Sequence, residues 1–182
     1  MENEMLPHHT ERIIYSAEQI RERIPVLVDE IVADQKNDFV MIGILRGSFM
    51  FMADLLRSFN RHALHPQIDF ITLTSYKGTE STGEVKLTHD TDLQIEGREV
   101  LLVDDILDTG RTLSVAKEIF MKRGATSVKS CVLLDKQTER AVEFHADHAA
   151  FPVEDVFVVG YGLDYDNHYR ELPHIAEVTF LS

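Results

Sequence analysis

One cysteine, Cys131, is all that the 182 residues carry. A single thiol forms no disulfide within the chain, which excludes a disulfide-stapled secreted scaffold. Cys131 lies in the apolar stretch Val128–Leu134, where it reads as a small buried hydrophobe rather than a nucleophile. Long apolar runs are also missing. Phe39–Leu45 is among the longest, far short of the roughly 20 residues that a membrane-spanning helix needs. Met1–Thr10 has no apolar core of the signal-peptide kind, so the expected compartment is the cytoplasm, with no membrane partner. Positive charge is scarce: 18 Lys+Arg stand against 31 Asp+Glu, for a net charge of −13. Such a surface repels nucleic acid. A small phosphorylated ligand could still bind in a locally positive pocket, or with a divalent cation to screen it, and acid clusters therefore become candidate metal sites. Histidines supply no metal site. His62 with His65, His145 with His148 and the pair His8–His9 all lack a convincing third and fourth ligand, and they read as surface residues.

What is present suits one globular domain over residues 1–182. Apolar residues make up 44% and charged residues 27%, and a chain of this length buries roughly 70% of its unfolded surface. No internal repeat or linker-like shift divides it. Ser16 followed by Gln19 fits a capping box, and Ile20, Ile24, Leu27 and Ile31 recur at helical spacing, so a helix starts near Ser16 and kinks or splits at Pro25. The continuous run Phe39–Leu45 predicts a strand buried on both faces, and Phe49–Phe59 an amphipathic helix. Strands are further predicted at Ile68–Ser75, Val100–Val103, Val128–Leu134 and Val156–Val159, with an edge strand at Val178–Leu181. Leu113–Arg123 reads as a helix closed by Gly124. This alternation implies an α/β fold with a mainly parallel sheet flanked by helices, and ligands beyond the C-terminal ends of its strands.

The chemistry concentrates in Val100–Thr112. A buried strand runs directly into Asp104 and Asp105, whose carboxylates can accept hydrogen bonds from sugar hydroxyls or face a divalent cation. Asp108, Thr109, Gly110, Arg111 and Thr112 follow. Small and hydroxylated residues just before a helix let backbone N–H groups and the helix dipole converge on a phosphate. The bland alternative is that Asp108 or Thr109 caps the helix and the acid pair is a solvated strand end. Two rival phosphate motifs fail. A Walker A loop ending at Thr112 would need Gly at Asp105 and Lys at Arg111, and a dinucleotide fingerprint starting at Gly160 would need Gly or Ala at Tyr165.

The full string of apolar strand, two acids, two apolar residues and then acid-Thr-Gly-basic-Thr resembles the phosphoribosyl-diphosphate motif of the type I phosphoribosyltransferases. Other segments are similar to the hypoxanthine-guanine branch of that family, from about Val40 to Leu172. The resemblance implies a sheet flanked by helices, a small hood at about 136–175 and a mobile loop at about 75–90 marked by Ser75 and Tyr76. It also implies roles. Asp104 and Asp105 would hold the ribose and Mg²⁺, and the loop from Asp108 through Thr109, Gly110, Arg111 and Thr112 would bind the 5-phosphate. Asp108 would take the purine proton. The branch more often has Glu first in the acid pair, so the shorter Asp104 has less reach toward ribose.

By the same resemblance, Arg46 and the Gly47 backbone would contact the diphosphate, with a cis peptide between Leu45 and Arg46, and Arg170 would meet it from the other side. On residues alone Arg46 could equally be a solvated turn cation. Lys136 would donate to the 6-oxo group of the purine and Phe157 would stack on its ring. The backbones of Val158 and Leu163 would contact the base edge, and Asp164 would bind a second Mg²⁺. The implied activity is purine salvage: transfer of 5-phosphoribosyl from 5-phosphoribosyl diphosphate to hypoxanthine, and also guanine, with Mg²⁺ required and a homodimer or homotetramer expected. Two alternatives stand beside it, a nucleotide-sensing regulatory protein on the same fold and a phosphoribosyltransferase for another base.

Overall fold

A computed structural model describes residues 9–35, 39–75 and 85–180. In chain order the elements are β1 (His9–Tyr15), α1 (Ala17–Asp34), β2 (Phe39–Leu45), α2 (Phe49–Phe59), β3 (Gln67–Ser75), β4 (Val85–His89), β5 (Glu99–Leu107), α3 (Arg111–Lys122), β6 (Ser127–Lys136), β7 (His148–Val153), β8 (Val158–Val159) and β9 (Ile175–Phe180). The central sheet has the order β4-β3-β2-β5-β6-β7. All its pairings are parallel except that of β3 with the edge strand β4. A second sheet, β1-β9-β8, is antiparallel and joins strands from both ends of the chain.

The continuous apolar runs of the central strands follow from burial on both faces. Phe39, Met41, Leu101, Val103, Cys131 and Leu133 join α1 and α2 in one core cluster. Val40, Ile42, Val100, Leu102 and Val132 alternate with them and meet Leu113, Ala116 and Phe120 of α3 on the other face. Each such side chain contributes roughly 1.5–3 kcal/mol on burial, so the middle of the sheet is the rigid platform on which the loops are built. Cys131 is wholly buried, and its thiol is pushed up by desolvation far beyond its usual range, as expected of an inert core residue.

Ser16 caps α1 through the expected reciprocal bonds with Gln19. The expected break at Pro25 is absent, since α1 runs as one helix from Ala17 to Asp34. Ile20 and Ile24 before the proline and Leu27, Val28 and Ile31 after it pack into the same core, and this shared packing outweighs the one backbone donor that proline lacks. Arg61 also donates to the Pro25 carbonyl from outside the helix at 2.9 Å. His148 corrects the surface reading of the histidines: it is 9% exposed at the start of β7, with Nε2 3.5 Å from Asp34 Oδ2. Among the described residues, no helix is long and apolar enough to cross a membrane.

Candidate active site

Strand β5 runs further than its hydrophobic pattern suggested. Asp104 and Asp105 lie inside it, because pairing with β6 continues from Asp104↔Val132 to Leu107↔Asp135. Backbone pairing does not depend on side-chain polarity, and the neighbouring strand is long enough to sustain it. On the other side β2 stays paired only as far as Gly43↔Val103, before the chain turns away through Arg46, Gly47 and Ser48. The acid pair therefore faces a cleft opened between two strands of unequal reach.

That cleft is a cavity of about 520 Å³ lined by Arg46, Gly47, Asp104, Asp105, Asp108, Thr109, Gly110, Thr112, Asp164 and Arg170 among others. Thus segments more than 100 positions apart in sequence converge on one space. Asp104 is 7% exposed. The Asp105 amide donates to the Asp104 carboxylate at 3.0 Å, and the Ile106 amide donates to that of Asp105 at 2.8 Å. Burial pushes both carboxyls up. Asp104 is raised well above the ordinary carboxylate range, first by desolvation and then by the charge of Asp105.

Gly110, at φ 78°, is the residue before the first turn of α3, and no side chain caps that helix. Asp108 and Thr109 are therefore free of the capping role and line the cavity instead. The helix starts at Arg111, two residues earlier than its apolar pattern indicated, which brings its unpaired N-terminal N–H groups directly to the loop. A side chain at 110 would also strike the neighbouring segment, since a β-carbon there would lie 2.7 Å from the Val142 carbonyl oxygen. Arg111 itself is exposed and does not line the cavity.

The peptide between Leu45 and Arg46 is cis. Arg46 donates to Asn167 Oδ1 at 3.0 Å, so it is an anchored cation rather than a loose turn residue. Arg170 contacts Asp164 Oδ1 at 2.8 Å and donates to the Gly162 carbonyl at 2.6 Å, and the Asn167 amide donates to the other Asp164 oxygen. Asn167, at φ 64°, was not singled out in sequence. Its signal is the Asp166-Asn167 pair, residue types that tolerate left-handed turns.

Lys136, Phe157, Val158 and Leu163 do not line the cavity, though Lys136 approaches its lining residue Asp108. The Lys136 ammonium lies 3.9 Å from Asp108 Oδ2 and 2.9 Å from Asp155 Oδ1. Phe157 is 44% exposed and meets Tyr165 edge-on at 5.7 Å, whereas Val158 and Leu163 are buried. An exposed phenyl differs from the ordinary core aromatic that its apolar context suggests. Arg140, also missed, ties the end of β6 to the phosphate loop. It binds Asp135 and the carbonyls of Lys136 and Phe144, while Val142 donates to the Thr109 carbonyl at 3.1 Å. Ser75 ends β3. Tyr76 and most of the expected loop at 75–90 lie outside the described residues, and Val85–His89 forms β4.

An acid pair, a helix N-terminus and two arginines thus surround one cleft at the ends of a mainly parallel sheet. Residues 12–166 match the model of the phosphoribosyl transferase domain. The chain is 41% identical over 174 residues to hypoxanthine-guanine phosphoribosyltransferase of Bacillus subtilis, covering 94% of this chain and 95% of that one. It superposes with TM-score 0.85 on a hypoxanthine-guanine phosphoribosyltransferase of Bacillus anthracis, at 38% identity over 94% of this chain and all of the other. A ternary substrate complex of a variant Trypanosoma cruzi hypoxanthine phosphoribosyltransferase gives TM-score 0.85 at 40% identity, covering 92% and 94% of the two chains. The chain belongs to the phosphoribosyltransferase family.

Proposed function

We propose that the cleft transfers 5-phosphoribosyl from 5-phosphoribosyl diphosphate to hypoxanthine and guanine, giving IMP or GMP and diphosphate. The protein is an enzyme, a pentosyltransferase of purine salvage. The observation that carries the site assignment is the convergence of Asp104, Asp105, the 108–112 loop, Arg46 and Arg170 on one cavity. Its 5-phosphate end is the N-terminus of α3, where backbone N–H groups and the helix dipole meet an anion. The ribose hydroxyls face Asp104 and Asp105, and the diphosphate lies between Arg46 with Gly47 and Arg170. On the side of Lys136, Phe157 stacks on the purine, Lys136 donates to its 6-oxo oxygen, and the Val158 and Leu163 backbones meet its edge.

The residues fit Mg²⁺. Among the described residues no cluster of three or more His, Cys, Asp or Glu could hold a metal unaided. Mg²⁺ commonly takes only one or two carboxylates and completes its shell with substrate oxygens and water. Asp104 is buried beside half-buried Asp105, whose charge disfavours ionised Asp104, an effect that a cation would offset, and each Asp164 oxygen keeps a spare lone pair beside its hydrogen bond. When bound, the ion neutralises charge developing on the diphosphate.

The reaction itself follows from the protein groups. A purine ring nitrogen attacks the anomeric carbon, the bond from that carbon to the diphosphate oxygen breaks, and the nitrogen's proton passes to the Asp108 carboxylate. Exclusion of water protects the oxocarbenium-like transition state, a task proposed for the segment that includes Ser75 and Tyr76. A cytoplasmic homodimer or homotetramer is the proposed working form, read by light scattering. The deciding experiment incubates purified protein with Mg²⁺, 5-phosphoribosyl diphosphate and each of hypoxanthine, guanine, xanthine and adenine. Conversion of the first two is expected. If only adenine reacts, or no base does, the hypoxanthine-guanine reading falls.

A further inference from the structure

Lys136 is held by an acid that has no part in the roles assigned so far. Its side chain is 14% exposed, and its ammonium sits 2.9 Å from Asp155 but 3.9 Å from Asp108. An ammonium has three donors and no acceptor, and between two carboxylates it settles on the nearer one. Asp155 is kept in place on its other side, where Thr138 Oγ1 donates to Asp155 Oδ2 at 3.4 Å. The Asp155 carboxyl lies below its usual range because Lys136 hydrogen-bonds to it.

The location of this pair gives it a purpose. Lys136 ends β6, whereas Asp155 stands in the turn after β7, two residues before Phe157. The turn is closed by the Val156 amide on the Glu154 carbonyl at 2.8 Å, and Gln137 donates to the Val153 carbonyl at 2.7 Å. The Lys136–Asp155 contact therefore joins the residue facing the purine edge to the segment bearing the residue that faces its ring. It also keeps the ammonium away from the carboxylate that accepts the purine proton.

We infer that Asp155 is a positioning residue for 6-oxopurine recognition. It aims the Lys136 ammonium at the 6-oxo oxygen and leaves Asp108 free to act on the ring nitrogen. Without it, Lys136 swings the remaining distance to Asp108, which withdraws the donor from the base and occupies the proton acceptor. This inference rests on the purine reading of the site. The Asp155 side chain is 66% exposed, so its removal leaves the core intact.

The test compares steady-state kinetics of Asp155→Ala, Asp155→Glu and Lys136→Met, each alone, and of Asp155→Ala combined with Lys136→Met. Asp155→Ala raises KM for hypoxanthine by roughly two- to fivefold, on the scale of a partly solvated ion pair. Turnover falls as well, because Lys136 now pairs with Asp108, while the melting temperature stays as in the wild type. Asp155→Glu restores most of the loss. In the Lys136→Met background, Asp155→Ala adds nothing, since it acts only through the lysine. An unchanged hypoxanthine KM in Asp155→Ala, or an equal effect with and without Lys136, overturns the inference while leaving the activity assignment intact. A wild-type protein that converts no 6-oxopurine overturns both.

Discussion

Gly47 rests directly on Asp105: a β-carbon at position 47 would lie 1.4 Å from Asp105 Oδ2 and 2.4 Å from its carboxyl carbon. The turn after β2 and the acid pair thus share a surface with no room for a methyl group. Gly162 approaches the same turn, where its own β-carbon would fall 2.1 Å from the Gly47 carbonyl oxygen. Three segments distant in sequence meet here through two residues without side chains.

Gly47→Ala must therefore displace the Asp105 carboxylate or the loop. Displacements near 1 Å at a reacting centre cost on the order of 10²-fold, and a loss of about that size in kcat/KM for 5-phosphoribosyl diphosphate is expected. Steady-state kinetics with the sugar substrate varied would show it. A variant with wild-type efficiency would mean that the loop yields without disturbing the acids.

Asp104 illustrates a conflict between stability and function. Its carboxyl is raised by burial and by Asp105, so the folded protein binds that proton more tightly than the unfolded chain. Its contribution is therefore fullest at low pH and is lost as pH rises through the raised value. Asp104→Asn removes this loss. Without metal it should melt at least about 2 °C above the wild type near pH 8, the shift that roughly 1 kcal/mol produces in a domain of this size, with the difference narrowing toward pH 5. Its activity should fall, since a neutral amide binds neither Mg²⁺ nor ribose as well. Calorimetry in the presence of a chelator checks the first part, and turnover the second.

Asp108 lines the cavity and caps no helix, so Asp108→Asn should leave the fold intact while removing the proton acceptor. Turnover should drop by roughly 10²-fold or more, on the usual scale of general acid–base contributions. Single-turnover measurements isolate the chemical step. Unimpaired single-turnover rates would assign the proton to another group.

His148 predicts a pH effect far from the cleft. Desolvation lowers its pKa, against the opposing charges of Asp34 and Asp147. A depressed value means that the unfolded chain takes up the proton first, so stability is full above the unfolded value of about 6.5 and falls as pH drops through the folded one. Denaturant melts of the wild type between about pH 7 and pH 5 should show this loss, and His148→Gln should flatten it over the same window. Parallel curves would place the acid sensitivity elsewhere.

Legibility in the sequence followed the range of the interactions involved. Phe39–Leu45 and Phe49–Phe59 were readable to the residue, because burial on both faces makes one continuous apolar and burial on one face makes the other periodic. β1 was missed, since its partner β9 lies at the far end of the chain and its mixed polar composition carries no period of its own. β7 was missed because Pro152 falls inside it. An edge strand tolerates proline, but nothing local reveals that a strand is at an edge.

The sequence by itself determined which residue types stand in the acid pair and in the loop after it, because a buried strand, two acids and a Gly- and Thr-containing run before a helix are contiguous. Only the tertiary structure decided how the parts of the site meet. The unequal reach of β2 and β5 opens the cleft, Asp105 lies under Gly47, Asn167 anchors Arg46, and Asp155 rather than Asp108 holds Lys136. Each of these depends on contacts between segments tens to more than 100 positions apart, and such contacts leave no pattern in the residues on either side.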